Sequence, residues 1–165
     1  MTTTRLPVPE AGGLMSLDFL ALPADLAVAD ALAAVASSHG LQPEALASIH
    51  VVDHDGRLHG VVRLITLMRG DAAAGLAQAC DTDPPRIGPD TDVTDVGVLM
   101  ADYNLVTIPV VDEKRRMLGL ITVDDVLGAT LPDDWRRREA ASPPDTRLGD
   151  GPAAGDRSGR VGERR

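Results

Sequence analysis

Ile108-Pro-Val-Val-Asp-Glu-Lys-Arg-Arg-Met-Leu-Gly-Leu-Ile-Thr-Val-Asp-Asp-Val-Leu127 is the stretch that decides the fold. It reads as a strand, a polar turn, a second strand and the start of a helix. Val106 to Asp112 and Met117 to Ile121 are short and rich in Val, Ile and Leu, which suits a sheet covered by helices. Val123 to Thr130 follows as the helix. The same order occurs upstream. Ile49-His-Val-Val-Asp53 aligns with Ile108-Pro-Val-Val-Asp112, and Gly60-Val-Val62 with Gly119-Leu-Ile121. Earlier still, Leu22-Pro-Ala-Asp-Leu-Ala-Val-Ala-Asp30 aligns with Ile87-Gly-Pro-Asp-Thr-Asp-Val-Thr-Asp95. The chain therefore carries an internal repeat.

Each copy reads in the same order. An extended start (Phe19 to Leu22; Arg86 and Ile87) leads into an amphipathic helix, with Val28, Leu32 and Val35, or Val93, Val96 and Met100, at helical spacing. A hairpin follows, Ser48 to Asp53 with Leu58 to Val62 in the first copy. Asp55-Gly56 is a tight-turn signal, because glycine accepts positive φ without steric cost. Glu113 to Arg116 predict a longer polar turn in the second copy. A short helix closes each unit, Ile65 to Met68 and Val123 to Thr130. The first copy holds an insertion around His39 to Ala47. The fold class is α/β: two tandem βαββα units packed sheet to sheet with pseudo-two-fold symmetry, since neither unit is large enough to bury its apolar faces alone. Val51, Val61, Val110, Leu120 and Ile121 are the expected core. The boundaries read as a flexible start over 1–10, a first unit over 11–70, a linker over 71–83, a second unit over 84–135 and a disordered Pro-, Gly-, Arg- and Asp-rich tail over 136–165.

Composition narrows the function. The formal net charge is −9 and the isoelectric point about 4.7, which disfavours nucleic acid and anionic membranes as partners. Phe19, Tyr103 and Trp135 are the aromatic residues, so there is little on which bases could stack. Cys80 is the single cysteine, which excludes an intrachain disulfide and fits a reducing cytosol. No apolar run reaches the roughly 18 residues of a membrane span, and the first residues lack a signal-peptide pattern. His39, His50, His54 and His59 show no helical ligand spacing. No Ser-His-Asp signature, Walker loop or dinucleotide fingerprint occurs, so a non-catalytic chain is expected.

The stretch from Ile108 to Leu127 resembles the most recognisable part of a CBS domain, and the first copy carries a weaker version. Ala11-Gly-Gly-Leu-Met15 and Phe19-Leu-Ala-Leu-Pro23 resemble the start of the cytosolic CBS pair of MgtE-type magnesium transporters. The resemblance covers about Ala11 to Trp135. It implies a cytoplasmic regulatory CBS pair that senses an adenine nucleotide (ATP or AMP), Mg²⁺, or both, and that is linked to magnesium homeostasis. It also implies a homodimer through helical faces, with Val96, Leu99 and Met100 as candidates for the contact or, equally, for the intrachain core, and a protein partner or transporter. The helical N-terminal domain and the pore domain of those transporters are not in this sequence, so a detached regulatory piece or a fragment of a longer chain is expected. The alternative is an interaction or dimerisation module without a small-molecule ligand.

The same resemblance places ligand residues. Thr122 and Asp125, after Gly119-Leu-Ile121, fall on the positions that hold phosphate and ribose, with the backbone of Thr107, Ile108 and Pro109 lining the base. A hydroxyl and an acid three residues later equally make a helix cap. In the first copy these positions are Arg63 and Thr66: the hydroxyl has become a guanidinium and the acid is gone. Arg63 is then free to reach a phosphate held by the other copy or to lie in solvent. Asp124 and Asp125, with Asp133 and Asp134, are the candidate magnesium ligands, because Mg²⁺ takes oxygen donors and keeps several waters. Trp135-Arg-Arg-Arg138 is a basic cluster beside an acidic body, read as an exposed helix tail or as a dock for a partner or for the module's own acidic surface.

Overall fold

The computed structural model describes residues 9–132. Its elements are α1 (Ala11–Leu14), β1 (Ala21–Pro23), α2 (Val28–Ser37), β2 (Ser48–Val52), β3 (Leu58–Arg63), α3 (Leu64–Arg69), α4 (Leu76–Ala79), α5 (Val93–Asp102), β4 (Thr107–Val111), β5 (Met117–Thr122) and α6 (Val123–Thr130). Asp133, Asp134 and Trp135 to Arg138 lie outside the described residues.

The expected hairpins are present. β2 pairs antiparallel with β3, and β4 with β5. β1 adds to β2 in parallel through Leu22 and Val51, and a bridge from Ile87 to Val110 repeats that pairing in the second copy. The two sheets are separate. Val51, Val110, Leu120 and Ile121 are buried as expected, whereas Val61 is half-buried on a cleft described below. The stretch from His39 to Ala47 runs in turns and tucks Ala45 into the interior.

The hairpin turns have one design rather than two. Asp53 Oδ1 accepts the N–H groups of Asp55 and Arg57, and Asp112 Oδ1 those of Lys114 and Arg116, at 2.8–2.9 Å. The aspartate cap sets the turn length, so the longer second turn expected from its charges does not form. Gly56 and Arg115 hold the same left-handed position, at φ 76° and 64°. The turns meet each other. Leu58 N–H donates to Arg115 O at 2.7 Å, and Met117 N–H to Gly56 O at 3.1 Å. Leu58 corresponds to Met117 and Gly56 to Arg115, so the two bonds exchange under a two-fold rotation.

Symmetry extends to what precedes each copy. Ala11 is buried in the second copy's core, with Leu14 and Met15 packed against that core. Leu76 is buried in the first copy's core, with Ala79 and Cys80 against it. The stretch 71–83, expected as a linker, thus carries α4 and closes the first core. Each lead-in then crosses the last strand of the copy whose core it has closed. Ser16 exchanges both backbone hydrogen bonds with Leu120 (2.8 and 2.9 Å), and Asp81 both with Val61 (2.9 Å each). The strand glycines permit this approach. A Cβ on Gly60 would stand 2.5 Å from Asp81 O, and one on Gly119 2.9 Å from Ser16 O.

Val96 and Met100, expected at a dimer contact, are buried in the second copy's own core, and Leu99 packs half-buried against it. The apolar stripe of α5 faces this core.

Candidate functional site

A cleft of about 770 Å³ opens between the copies. One wall comes from the first copy: Val61, Val62 and Arg63 at the end of β3, and Leu64, Ile65, Thr66 and Met68 from α3. The other wall is Tyr103 to Thr107 with Pro109. Local sequence shapes that second wall. α5 stops because Asn104 turns left-handed (φ 51°), a conformation that asparagine tolerates better than most residues, and Leu105 N–H then bonds Met100 O at 2.8 Å. The chain leaves the helix along the cleft and enters β4.

Four exposed large apolar residues line this cleft: Ile65, Met68, Tyr103 and Val106. Its charged lining residues are Arg63 and Asp81. Two buried polar groups belong to lining residues and find no hydrogen-bond partner among the described residues, Thr107 Oγ1 and His50 Nε2. Burial holds the His50 pKa down at about 4, against a smaller upward effect of the bond to Leu20 O. The imidazole is therefore neutral near pH 7. Its Nδ1 lies 3.4 Å from Leu20 O, which can only accept, so the proton sits on Nδ1 and Nε2 is a bare acceptor. Phe19 meets the ring edge-on.

The expected site residues divide. Thr107 and Pro109 reach the cleft, and so does Arg63; Thr122 and Asp125 are not among its lining residues. They form a capping box at the start of α6. Asp125 N–H donates to Thr122 Oγ1 (3.2 Å), while Asp125 Oδ2 accepts from Thr122 N–H (2.9 Å) and Thr122 Oγ1 (2.8 Å). Ile108 is wholly buried in the second core. Asp124 is exposed. Among the described residues no three His, Cys, Asp or Glu side chains converge to hold a metal ion. One Asp125 oxygen is engaged in the cap, and Asp133 and Asp134, the other candidate magnesium ligands, lie outside the described residues. His50, weighed above only as a metal ligand, and Asp81 belong to no motif; Asp81 reaches the cleft because the second lead-in pairs with Val61. The signal for His50 was its replacement of the proline that the second copy has at Pro109.

No helix among the described residues is long and apolar enough to cross a membrane. The CBS domain profile matches residues 11–72 and 76–131. The magnesium transporter MgtE of Thermus thermophilus is 36% identical over 144 residues, 86% of this chain and 32% of that protein. This chain thus spans about a third of the relative's length. The crystal structure of the cytosolic domain of the Mg²⁺ channel MgtE in complex with ATP superposes with a TM-score of 0.70 at 37% identity, over 73% of this chain and 48% of that one. The soluble part of a magnesium transporter follows, with a TM-score of 0.68 at 26% identity, over 79% of this chain and 48% of that one. With the repeated hairpins, the exchanged lead-ins and the cleft between the copies, these matches make the chain a member of the CBS domain family, a tandem pair homologous to the cytosolic CBS region of MgtE magnesium transporters.

Proposed function

We propose that the chain is a regulatory module whose cleft binds an adenine nucleotide, ATP or AMP. One observation carries this reading: an apolar cleft of ligand size (pockets run about 300–1,000 Å³) with unpartnered polar groups on Thr107 and His50 and a guanidinium on Arg63. A purine packs between Val61, Leu105 and Pro109, and its phosphate lies on Arg63. The ATP-bound relative supports the choice of ligand. Because both copies supply walls, a ligand that fits one relative packing better shifts the pair toward it. Magnesium enters as the counter-ion of the phosphates, a role in which Mg²⁺ keeps several of its waters. The module works in the cytoplasm on an MgtE-type transporter, and its working form is a homodimer.

The alternative to the Arg63 seat is one that uses Thr122, Asp125 and the backbone of Thr107 to Pro109. It is favoured by Asp125 Oδ1, to which no described residue donates a hydrogen bond. Calorimetric titration of the full chain with ATP and AMP, with and without Mg²⁺, tests the proposal. Saturable binding of either nucleotide is expected. No heat up to millimolar ligand, about the weak limit of a useful sensor, would leave an interaction module that takes no small molecule.

A further inference from the structure

We infer that Asp81 is the carboxylate that holds the ribose of a nucleotide in this cleft, supplying from the second lead-in the acid that the first copy lacks. The inference rests on the nucleotide reading of the cleft. In the second copy the acid after the last strand is Asp125, and the first copy has Thr66 there. The lead-ins show the converse exchange. Ser16 crosses the second copy's strand at Leu120, and Asp81 crosses the first copy's at Val61. Each pseudo-equivalent position pair thus contains one acid and one hydroxyl: Asp125 with Ser16, and Asp81 with Thr66. The acid has changed element.

Asp81 is held where this role requires it. Its two backbone hydrogen bonds to Val61 fix it beside β3. Arg63 is two residues along that strand from Val61, hence on the same face. The neighbouring acid, Asp83, is engaged by Arg86 at 2.9 Å, whereas Asp81 has no ion-pair partner among the described residues. Asp81 Oδ1 accepts Asp83 N–H at 3.0 Å, which orients the carboxylate and leaves Oδ2 without a described donor. A carboxylate accepts from vicinal hydroxyls, so it selects a cis-diol, and Arg63 of opposite sign takes the phosphate.

Titration of the full chain and of Asp81→Asn with AMP and with 2′,3′-dideoxy-AMP tests this assignment. The parent should bind AMP at least about tenfold more tightly than the dideoxy analogue, and Asp81→Asn should lose that preference while binding the analogue as the parent does. Asparagine keeps the acceptor for Asp83 N–H, and an unchanged melting temperature shows an intact fold. Should Asp81→Asn melt early, Asp81→Ser takes its place in the comparison, and a parent without preference for AMP over the analogue still overturns the role. Equal affinity of the parent for both ligands, or AMP binding by a folded Asp81→Asn equal to the parent's, overturns the role of Asp81 and leaves the cleft reading standing. Absence of binding of either ligand to the parent overturns both.

Discussion

Gly60 lies beneath Asp81 so closely that a Cβ on the glycine would stand 2.5 Å from the Asp81 carbonyl oxygen and 2.6 Å from Cys80 Sγ. The contact joins β3 to the segment that leaves the first core. It places Asp81 on the cleft and Cys80 against the core, where burial pushes the thiol pKa up and makes it a packing group rather than a nucleophile. Gly119 stands in the same relation to Met15 and Ser16.

Gly60→Ala should therefore destabilise the fold by about 2 kcal/mol, within the range of overpacking substitutions. Gly119→Ala should cost less, because its nearest contact is the flexible Met15 side chain. Urea denaturation of the two variants checks the order. Equal stability of parent and Gly60→Ala would show that the lead-in is not seated on β3.

His50 makes stability depend on pH. Its pKa falls from 6.5 to about 4 on folding, so the folded state resists a proton that the unfolded state accepts. Stability is full above pH 6.5 and is lost as pH falls from there to about 4, by up to about 3 kcal/mol. Denaturation midpoints measured from pH 7 to pH 4 should show this slope, and His50→Leu should flatten it. An equal slope in both proteins assigns the effect to carboxylates instead.

The repeat was legible because its strands and helices are matched runs of Val, Ile and Leu at corresponding places, and so was α6, which forms over the expected Val123 to Thr130. α1 and α4 were not. Ala11-Gly-Gly-Leu14 and Leu76-Ala-Gln-Ala79 are single turns, too short to show a period, and their apolar residues complete a core far away in sequence. Thr107, Pro109 and Arg63 could be singled out from motif position. Asp81 could not, since its place depends on which strand the lead-in crosses. The pairing of Thr66 with Asp81 against Asp125 with Ser16 becomes visible only once that crossing is known.

Dimerisation should use the apolar residues that the core leaves exposed on α5 and α6, Val98 and Leu127. These helices contact each other at Gly97 and Val126, the residues just before them. The double variant Val98→Asp, Leu127→Asp should convert a dimer to a folded monomer in light scattering. Val96→Asp, which buries a charge in the core, should instead unfold the chain. An unchanged dimer in the double variant would place the interface elsewhere, on a surface of the usual size of about 1,000 Å² or more.

Arg63 and Asp125 separate the two seats for a nucleotide. Arg63 is exposed at the end of β3, makes no ion pair among the described residues and lines the cleft. Arg63→Gln should weaken AMP and ATP binding by about tenfold or more through loss of a charged hydrogen-bond donor, and leave adenosine binding unchanged. Asp125→Ala removes the acceptor for Thr122 N–H and its hydroxyl, so it should lower stability by about 1 kcal/mol without changing nucleotide affinity. Thr122→Ala should behave in the same way. Calorimetry and thermal melts on the same three variants give both quantities. Loss of nucleotide binding in Asp125→Ala with Arg63→Gln unaffected would move the ligand to the second copy's own motif, and the cleft wall of Arg63 and Thr66 would then be a surface for the partner.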